Sequence, residues 1–249
     1  MTIQQQKSFK ILLIGDDCSD VYQYGTVERL SPEAPVPVFV PTHKETRPGM
    51  AGNVSKNLEA LGCEVNYIHA KTSTKTRLID KRSNQHIARI DNDEMSEPIS
   101  FETEIPKIYD AIVVSDYNKG TVTYELIEEL IDTKIPVFID TKKIDLERFQ
   151  GSWVKINAAE YRLIKSECTG LIVTLGEDGA RVIHHDIHYP APKVEISDVC
   201  GAGDTFLAAL AYRYCETKDI DEAVKFAIKA ASITVQHLGN YAPTLEEIK

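Results

Sequence analysis

Five short runs in this chain are almost wholly apolar: ILLIG at 11–15, AIVVS at 111–115, PVFID at 136–140, WVKIN at 153–157 and LIVTL at 171–175. A strand with one face in water alternates polar and apolar residues, whereas a strand covered on both faces does not have to. Between and after these runs the pattern turns amphipathic. Helices are predicted at 52–61, 123–133 and 158–166, and two longer ones at 204–216 and 220–237. A β-then-α rhythm of this kind implies an α/β sandwich: a mostly parallel sheet with helices on both faces. Ligands of such sheets bind beyond the carboxyl ends of the strands.

Two stretches break the rhythm. RLSPEAPVPVFVPTHKETR (29–47) is rich in proline and alternates in polarity, with no helix after it. TRLIDKRSNQHIARID (76–91) alternates too, around a turn signal at Ser83-Asn84. Both read as strands of a small antiparallel sheet that projects from the core, suited to a lid or a dimer contact. The 249 residues otherwise form one domain, 1–249, with no internal repeat or linker.

The formal net charge of −10 argues against broad contacts with nucleic acid or anionic membranes. A local cluster of Lys and Arg still suffices for an anionic small molecule. No apolar run reaches the length of a membrane span, and MTIQQQKSFKILLIG is too short in apolar residues for a signal peptide. Five cysteines, Cys18, Cys63, Cys168, Cys200 and Cys215, form no CxxC pair. A reduced, cytoplasmic setting without structural zinc is the expectation. The histidines of HHDIH (184–188) read as a solvated turn rather than a metal cluster.

The chemistry concentrates in DVCGAGDTFLAALAY (198–212), where two glycines and a carboxylate open an apolar helix. Glycines there let bare N–H groups converge, and a helix N-terminus adds unpaired donors and partial positive charge. The result is an anion site. It is not a Walker A loop, which needs Lys followed by Ser or Thr, and Phe206 stands where a dinucleotide fingerprint has its third glycine. Asp204 admits two readings. It is either an ordinary helix cap or the general base of a phosphoryl transfer. In the second reading the amides of Gly201, Ala202 and Gly203 hold the charge on the transferred group.

DVCGAGDTF resembles the second signature of the ribokinase-like (PfkB) sugar kinases, whose base is the aspartate of GAGD. NAAE (157–160) resembles their N-x-x-E motif, VTLGEDGA (173–180) their nucleotide-binding strand and turn, and PGMAGN (48–53) with GDDCSD (15–20) their sugar-binding segments. RLSPEAPVPV (29–38), SDYNKG (115–120), IDTKKIDLERFQG (139–151) and RSNQHIARID (82–91) are similar to the kinase half of the bifunctional heptose-7-phosphate kinase/adenylyltransferases. The resemblance implies a ribokinase-like three-layer sandwich with a β-sheet lid, and the apolar alternation at Val36, Val38 and Val40, flanked by prolines, predicts a homodimer that pairs through that lid. The resemblance also implies phosphorylation of the anomeric hydroxyl of D-glycero-β-D-manno-heptose 7-phosphate by ATP with Mg2+, and a monovalent cation as a further cofactor. It assigns Asp204 as base and Gly201, Ala202 and Gly203 as the anion hole. Asn157, Ala158, Ala159, Glu160, Thr174, Gly176 and Gly179 face the nucleotide, with Glu160 reaching Mg2+ through water. Asp16, Asp20, Gly49 and Asn53 face the sugar. Lys142 is first choice for the distal phosphate, with Arg82 and Lys119 as rivals.

The chain also departs from that pattern. Met50 stands where the family usually has a second glycine, and Ile228 where an asparagine near the nucleotide is common, which points to loose base selectivity. After YIHA (67–70) a core segment with a G-x-D motif is missing, and the stretch after NAAEY is short. A stand-alone kinase-like domain, with no nucleotidyltransferase half after Lys249, is the expectation. The alternatives are therefore a related kinase for another sugar or sugar phosphate, and a degenerate domain that binds sugar phosphate without turnover.

Overall fold

A computed structural model describes residues 8–93 and 95–248. The chain enters the core through β1 (Lys10–Gly15), then runs into two long strands, β2 (Asp17–Leu30) and β3 (Pro37–Met50). Helix α1 (Ala51–Ala60) returns it to the core at β4 (Glu64–Ile68), and a second excursion follows through β5 (Thr72–Asp80) and β6 (His86–Asn92). The remainder alternates: β7 (Ala111–Asp116), α2 (Tyr124–Asp132), β8 (Val137–Thr141), β9 (Trp153–Asn157), a single turn α3 (Ala158–Tyr161), β10 (Leu171–Thr174), β11 (Ala180–Val182), β12 (Ile187–Tyr189), α4 (Ala202–Thr217), α5 (Ile220–Thr234) and a last turn α6 (Leu245–Ile248).

Eight strands form the central sheet in the order β12-β11-β10-β9-β8-β7-β1-β4. From β10 to β4 every neighbour is parallel, and β11 and β12 add an antiparallel edge. The apolar runs are covered on both faces, as two-sided burial requires. Ile11 and Leu13 of β1 pack with Val54, Leu58, Phe206 and Leu210 on the α1/α4/α5 side. Leu12 and Ile14 pack with Leu126, Ile127 and Leu130 on the α2 side. Gly15 ends β1 because an added Cβ would lie 2.3 Å from the Ser115 carbonyl oxygen and 2.7 Å from the Ala51 Cβ.

The lid is a four-stranded sheet in the order β3-β2-β5-β6. It differs from the sequence expectation in two respects. It is mixed rather than antiparallel, because β2 and β5 pair in parallel. Both leave the same end of the parallel neighbours β1 and β4, so they set out in the same direction. It also recruits residues 17–30, beyond the expected 29–47 and 76–91. The predicted helix over 158–166 shrinks to the one turn of α3. The expected Ser83-Asn84 turn joins β5 to β6, with Asn84 at φ 56°.

Met50 stands at the hinge between lid and core, at φ 49° and ψ −131°, with only 5% of its surface exposed. That backbone region suits glycine, and a side chain held there stores about 1–3 kcal/mol of strain. Met50→Ala removes the buried side chain and keeps the strain, so it should cost about 2–4 kcal/mol. Met50→Gly relieves the strain and should be milder than Ala by about 1 kcal/mol, the reverse of the usual order. Urea denaturation of both variants checks this, and an Ala variant as stable as the Gly variant rules the strain out.

Candidate active site

Helix α4 begins at the carboxyl end of the sheet. Its N-cap is Gly201, in a left-handed conformation at φ 76°, and no side chain caps the helix. The first-turn amides therefore keep donor capacity for an anion, although the Ala202 N–H makes a long 3.4 Å contact with the Val199 carbonyl. Asp204 is the third helical residue and does not cap. Its Oδ2 accepts a hydrogen bond from Asn53 Nδ2 (2.7 Å) and its Oδ1 one from the Tyr117 hydroxyl (3.1 Å). The carboxylate is thus held across the site by α1 and by the loop after β7. Burial pushes its pKa up to about 6; the Asn53 hydrogen bond opposes this, Asp140 adds to it, and Lys155 and the Tyr117 bond pull it back. A carboxylate ionised at neutral pH yet still basic is suited to taking a proton from a hydroxyl.

On one flank, Asn157 caps the turn of α3 by accepting from the Ala159 and Glu160 N–H groups, both at 2.9 Å. Glu160 Oε2 reaches back to the Asn157 N–H at 2.8 Å, closing a capping box. Its Oε1 accepts from Lys142, whose ammonium also lies 5.3 Å from the centre of the Tyr117 ring. Lys142 therefore stands between Glu160 and Tyr117, close enough for Asp140, Glu160 and Asp204 to hold its proton tightly against the opposing effect of burial. A cavity of about 640 Å³ runs along α4 and α5 and includes Ala202, the first residue of α4, in its lining. Gly176, Gly179, Val199, Phe206, Ile228 and Ser232 are among its lining residues. Thr174 lies outside that lining, its hydroxyl turned to the Ile156 carbonyl at 3.3 Å.

On the other flank lie Asp16, Asp20, Gly49 and Asn53. Asp16 is 2% exposed, and its Oδ2 accepts the N–H groups of Tyr117 (2.7 Å) and Lys119 (3.1 Å). It anchors the loop that carries Tyr117, while its Oδ1 is buried without a hydrogen-bond partner. Asp20 pairs with Arg77 of β5 and touches the place a Gly49 Cβ would occupy. Arg77 and Arg47 flank the Tyr22 ring at 5.3 and 5.0 Å. Asn53 is fully buried, and its Oδ1 has no hydrogen-bond partner among the described residues. The rivals to Lys142 lie elsewhere. Lys119 pairs with Asp93 at 2.7 Å, and Arg82 sits in the β5–β6 turn. Burial and Asp198 push the Cys200 thiol up, so it is not a poised nucleophile. Among the described residues no group of His, Cys, Asp and Glu is arranged to hold a metal directly.

Sequence reading misses Tyr117, Arg77, Asp140 and Lys155 as site residues. Tyr117 carries its signal in SDYNKG, an aromatic residue in a polar turn after an apolar strand. Only the fold shows that its hydroxyl reaches a residue 87 positions away.

Comparison with known proteins gives the family of the chain. The model of the pfkB family carbohydrate kinases matches residues 154–247. The bifunctional protein HldE of Nitratiruptor sp. is 34% identical over an alignment covering 96% of this chain and 64% of its own length. HldE of Pseudomonas putida is 32% identical, with 96% and 63% covered. The chain thus spans less than two thirds of these relatives. The Nitratiruptor alignment is 299 positions long, more than the 249 residues of this chain, so the relative carries segments with no counterpart here. Among solved structures, Arabidopsis thaliana ribokinase, complexed with ribose and ATP, superposes with a TM-score of 0.69 at 16% identity, covering 97% of this chain and 98% of that one. Phosphofructokinase-2 from Escherichia coli, in complex with potassium, gives 0.71 at 15% identity, with 96% and 97% covered. The chain belongs to the PfkB, ribokinase-like family of carbohydrate kinases. No described helix is long and apolar enough to cross a membrane.

Because burial raises the pKa of Asp204 from 3.8 to about 6, its ionised form is disfavoured in the folded state. Asp204→Asn removes that penalty and can keep both partners, the Tyr117 hydroxyl turning to accept. The stability gained by the Asn variant over the parent should be nil below about pH 4, widen as pH rises to about 6, and level off at no more than about 3 kcal/mol. Melting temperatures of both proteins from pH 4 to 8 check this, and a gap that narrows with rising pH contradicts the assignment.

Proposed function

We propose that this carbohydrate kinase transfers the terminal phosphoryl group of ATP to the anomeric hydroxyl of D-glycero-β-D-manno-heptose 7-phosphate. The observation that carries the proposal is the placement of Asp204: a buried carboxylate gripped by Asn53 and Tyr117, beside the uncapped first turn of α4. Asp204 takes the proton as the hydroxyl oxygen attacks phosphorus, and the turn amides face the negative charge of the transferred group. Asn53 and Tyr117 fix the carboxylate, and Asp16 fixes the Tyr117 loop. The cavity along α4 and α5 takes the nucleoside, with apolar contacts from Phe206 and Ile228. The likeness to HldE over 96% of the chain supports a heptose phosphate as acceptor. Its distal phosphate falls to the lid root, where Arg47 stands beside Tyr22, rather than to Lys142.

The residues suit Mg2+ carried in on nucleotide phosphates rather than caged by protein. Both Glu160 oxygens are engaged, so contact through water fits better than direct ligation. When bound, the metal neutralises charge on the phosphates. A monovalent cation is not defined by these side chains: Asp198 accepts N–H groups on both oxygens, from Cys200 (3.0 Å) and Gly239 (2.9 Å), and no step is derived through such an ion.

Asp204→Asn should lower turnover about 10²–10⁴-fold while nucleotide still binds. In the parent enzyme kcat/KM should rise with pH through about 6, as Asp204 loses its proton. Steady-state assays with heptose 7-phosphate and Mg-ATP read both. An Asn variant with parental turnover refutes the mechanism, and a parent that binds the sugar phosphate without turning it over establishes the degenerate domain instead.

The same proposal includes a homodimer formed through the lids in a cytoplasmic setting. Leu30, Val36, Val40 and Ile90 are each more than half exposed on or beside the lid strands, and a small sheet with exposed apolar side chains is marginal alone. Sedimentation should show a dimer at micromolar concentration, and Val40→Lys should shift it to monomer. A parent that sediments only as monomer contradicts the pairing.

A further inference from the structure

Two charged residues interrupt the apolar face that the central sheet turns to α4. On β8, Phe138 packs against that helix layer, and Asp140 follows two residues later on the same face. On β9, Val154 and Ile156 turn to the α2 side, which leaves Lys155 on the α4 side with Trp153. Asp140 and Lys155 are direct partners in the β8–β9 register. Their side chains are 8% and 6% exposed, and Lys155 Nζ donates to Asp140 Oδ2 at 2.6 Å. The other oxygen of Asp140 is buried without a hydrogen-bond partner among the described residues.

The place of this pair is informative. A Cβ added to Gly203 would lie 2.8 Å from Lys155 Nζ and 3.9 Å from Asp140 Oδ2. The ammonium therefore lies against the underside of the glycine turn, and a side chain at position 203 would have to displace it. A buried ion pair is weak evidence for stability, since apolar replacements of equal volume often serve as well. Its position under an anion site, one residue before Asp204, calls for a different explanation.

We propose that Lys155 is a positioning residue for phosphoryl transfer: held by Asp140 beneath the Gly201–Gly203 turn, its ammonium supplies a fixed positive charge shared by Asp204 and an arriving phosphoryl group. This rests on the kinase reading of the site. Low-dielectric surroundings make such a charge effective without direct contact. Asp140 sets how much of that charge is felt. The pair acts on Asp204 in opposite senses, Asp140 disfavouring its ionised form and Lys155 favouring it. The other groups facing Asp204 are Asn53 from α1, Tyr117 from the loop after β7, and Lys142 just past β8.

The test follows the Asp204 carboxylate by carbon-13 NMR titration of aspartate-labelled protein, with no sugar present. Lys155→Met should move its titration to higher pH and Asp140→Asn to lower pH. Shifts in the same direction, or none in either variant, overturn the proposal, because opposite charges fixed beside Asp204 must move its titration in opposite senses. Should either single variant fail to fold, the neutral pair Asp140→Asn/Lys155→Met leaves no lone buried charge. In that protein calorimetry should show the preference for ATP over AMP reduced at least tenfold, and an unchanged preference overturns the proposal. Neither readout needs an acceptor sugar, so failure of the heptose assignment would show separately, as absent turnover in the parent enzyme.

Discussion

Everything at this site depends on keeping one carboxylate buried and still ionisable. Asp204 sits where water is largely excluded, and a buried carboxylate with no partners would stay protonated at neutral pH. Two hydrogen bonds and a nearby lysine offset the burial, leaving it poised near the pH at which a base works best. The neighbouring elements are arranged to deliver those partners. Helix α1 brings Asn53, the loop after β7 brings Tyr117, and strands β8 and β9 bring Asp140 and Lys155.

That arrangement joins lid and core. The chain that leaves β1 passes Asp16, which holds the Tyr117 loop by two backbone N–H groups, and continues as the first lid strand. The lid returns through Gly49 and Met50 directly into α1 and Asn53. A second tie comes from the loop after α5, where Asn240 Nδ2 donates to the Pro48 carbonyl at 3.1 Å and the Gly239 N–H to Asp198 at 2.9 Å. The lid is therefore tied, through the chain and through hydrogen bonds, to the elements that carry the carboxylate's partners. Phosphoryl transfer needs positioning more than covalent participation by the protein, and these ties serve positioning.

The sheet was legible where burial is two-sided. The five apolar runs all became central strands, because a parallel strand under helices on both faces has no reason to alternate. Legibility failed at the edges. EVNYI (β4) is half-covered and lacks a continuous apolar run. The buried positions of β2 include Asp20 beside Cys18 and Tyr22, so its period of two does not show as hydrophobicity. The capping box at Asn157 and Glu160 announces a helix, yet the chain must return to β10 within a few residues and the helix stops after one turn.

The sequence by itself determined the α/β class, the glycine turn at the head of α4 and the candidacy of Asp204, because each depends on local spacing and on residue types that few other structures explain. It also marked Asn157, Glu160, Gly176 and Gly179 as one flank of a site. That Asp204 does not cap α4, and is held instead by Asn53 and Tyr117, follows only from the tertiary structure. Its partners lie 151 and 87 residues away, and no local pattern encodes that distance. The same holds for Lys155 and Asp140: strand parity and inter-strand register set them opposite each other beneath Gly203, and register is a property of the assembled sheet.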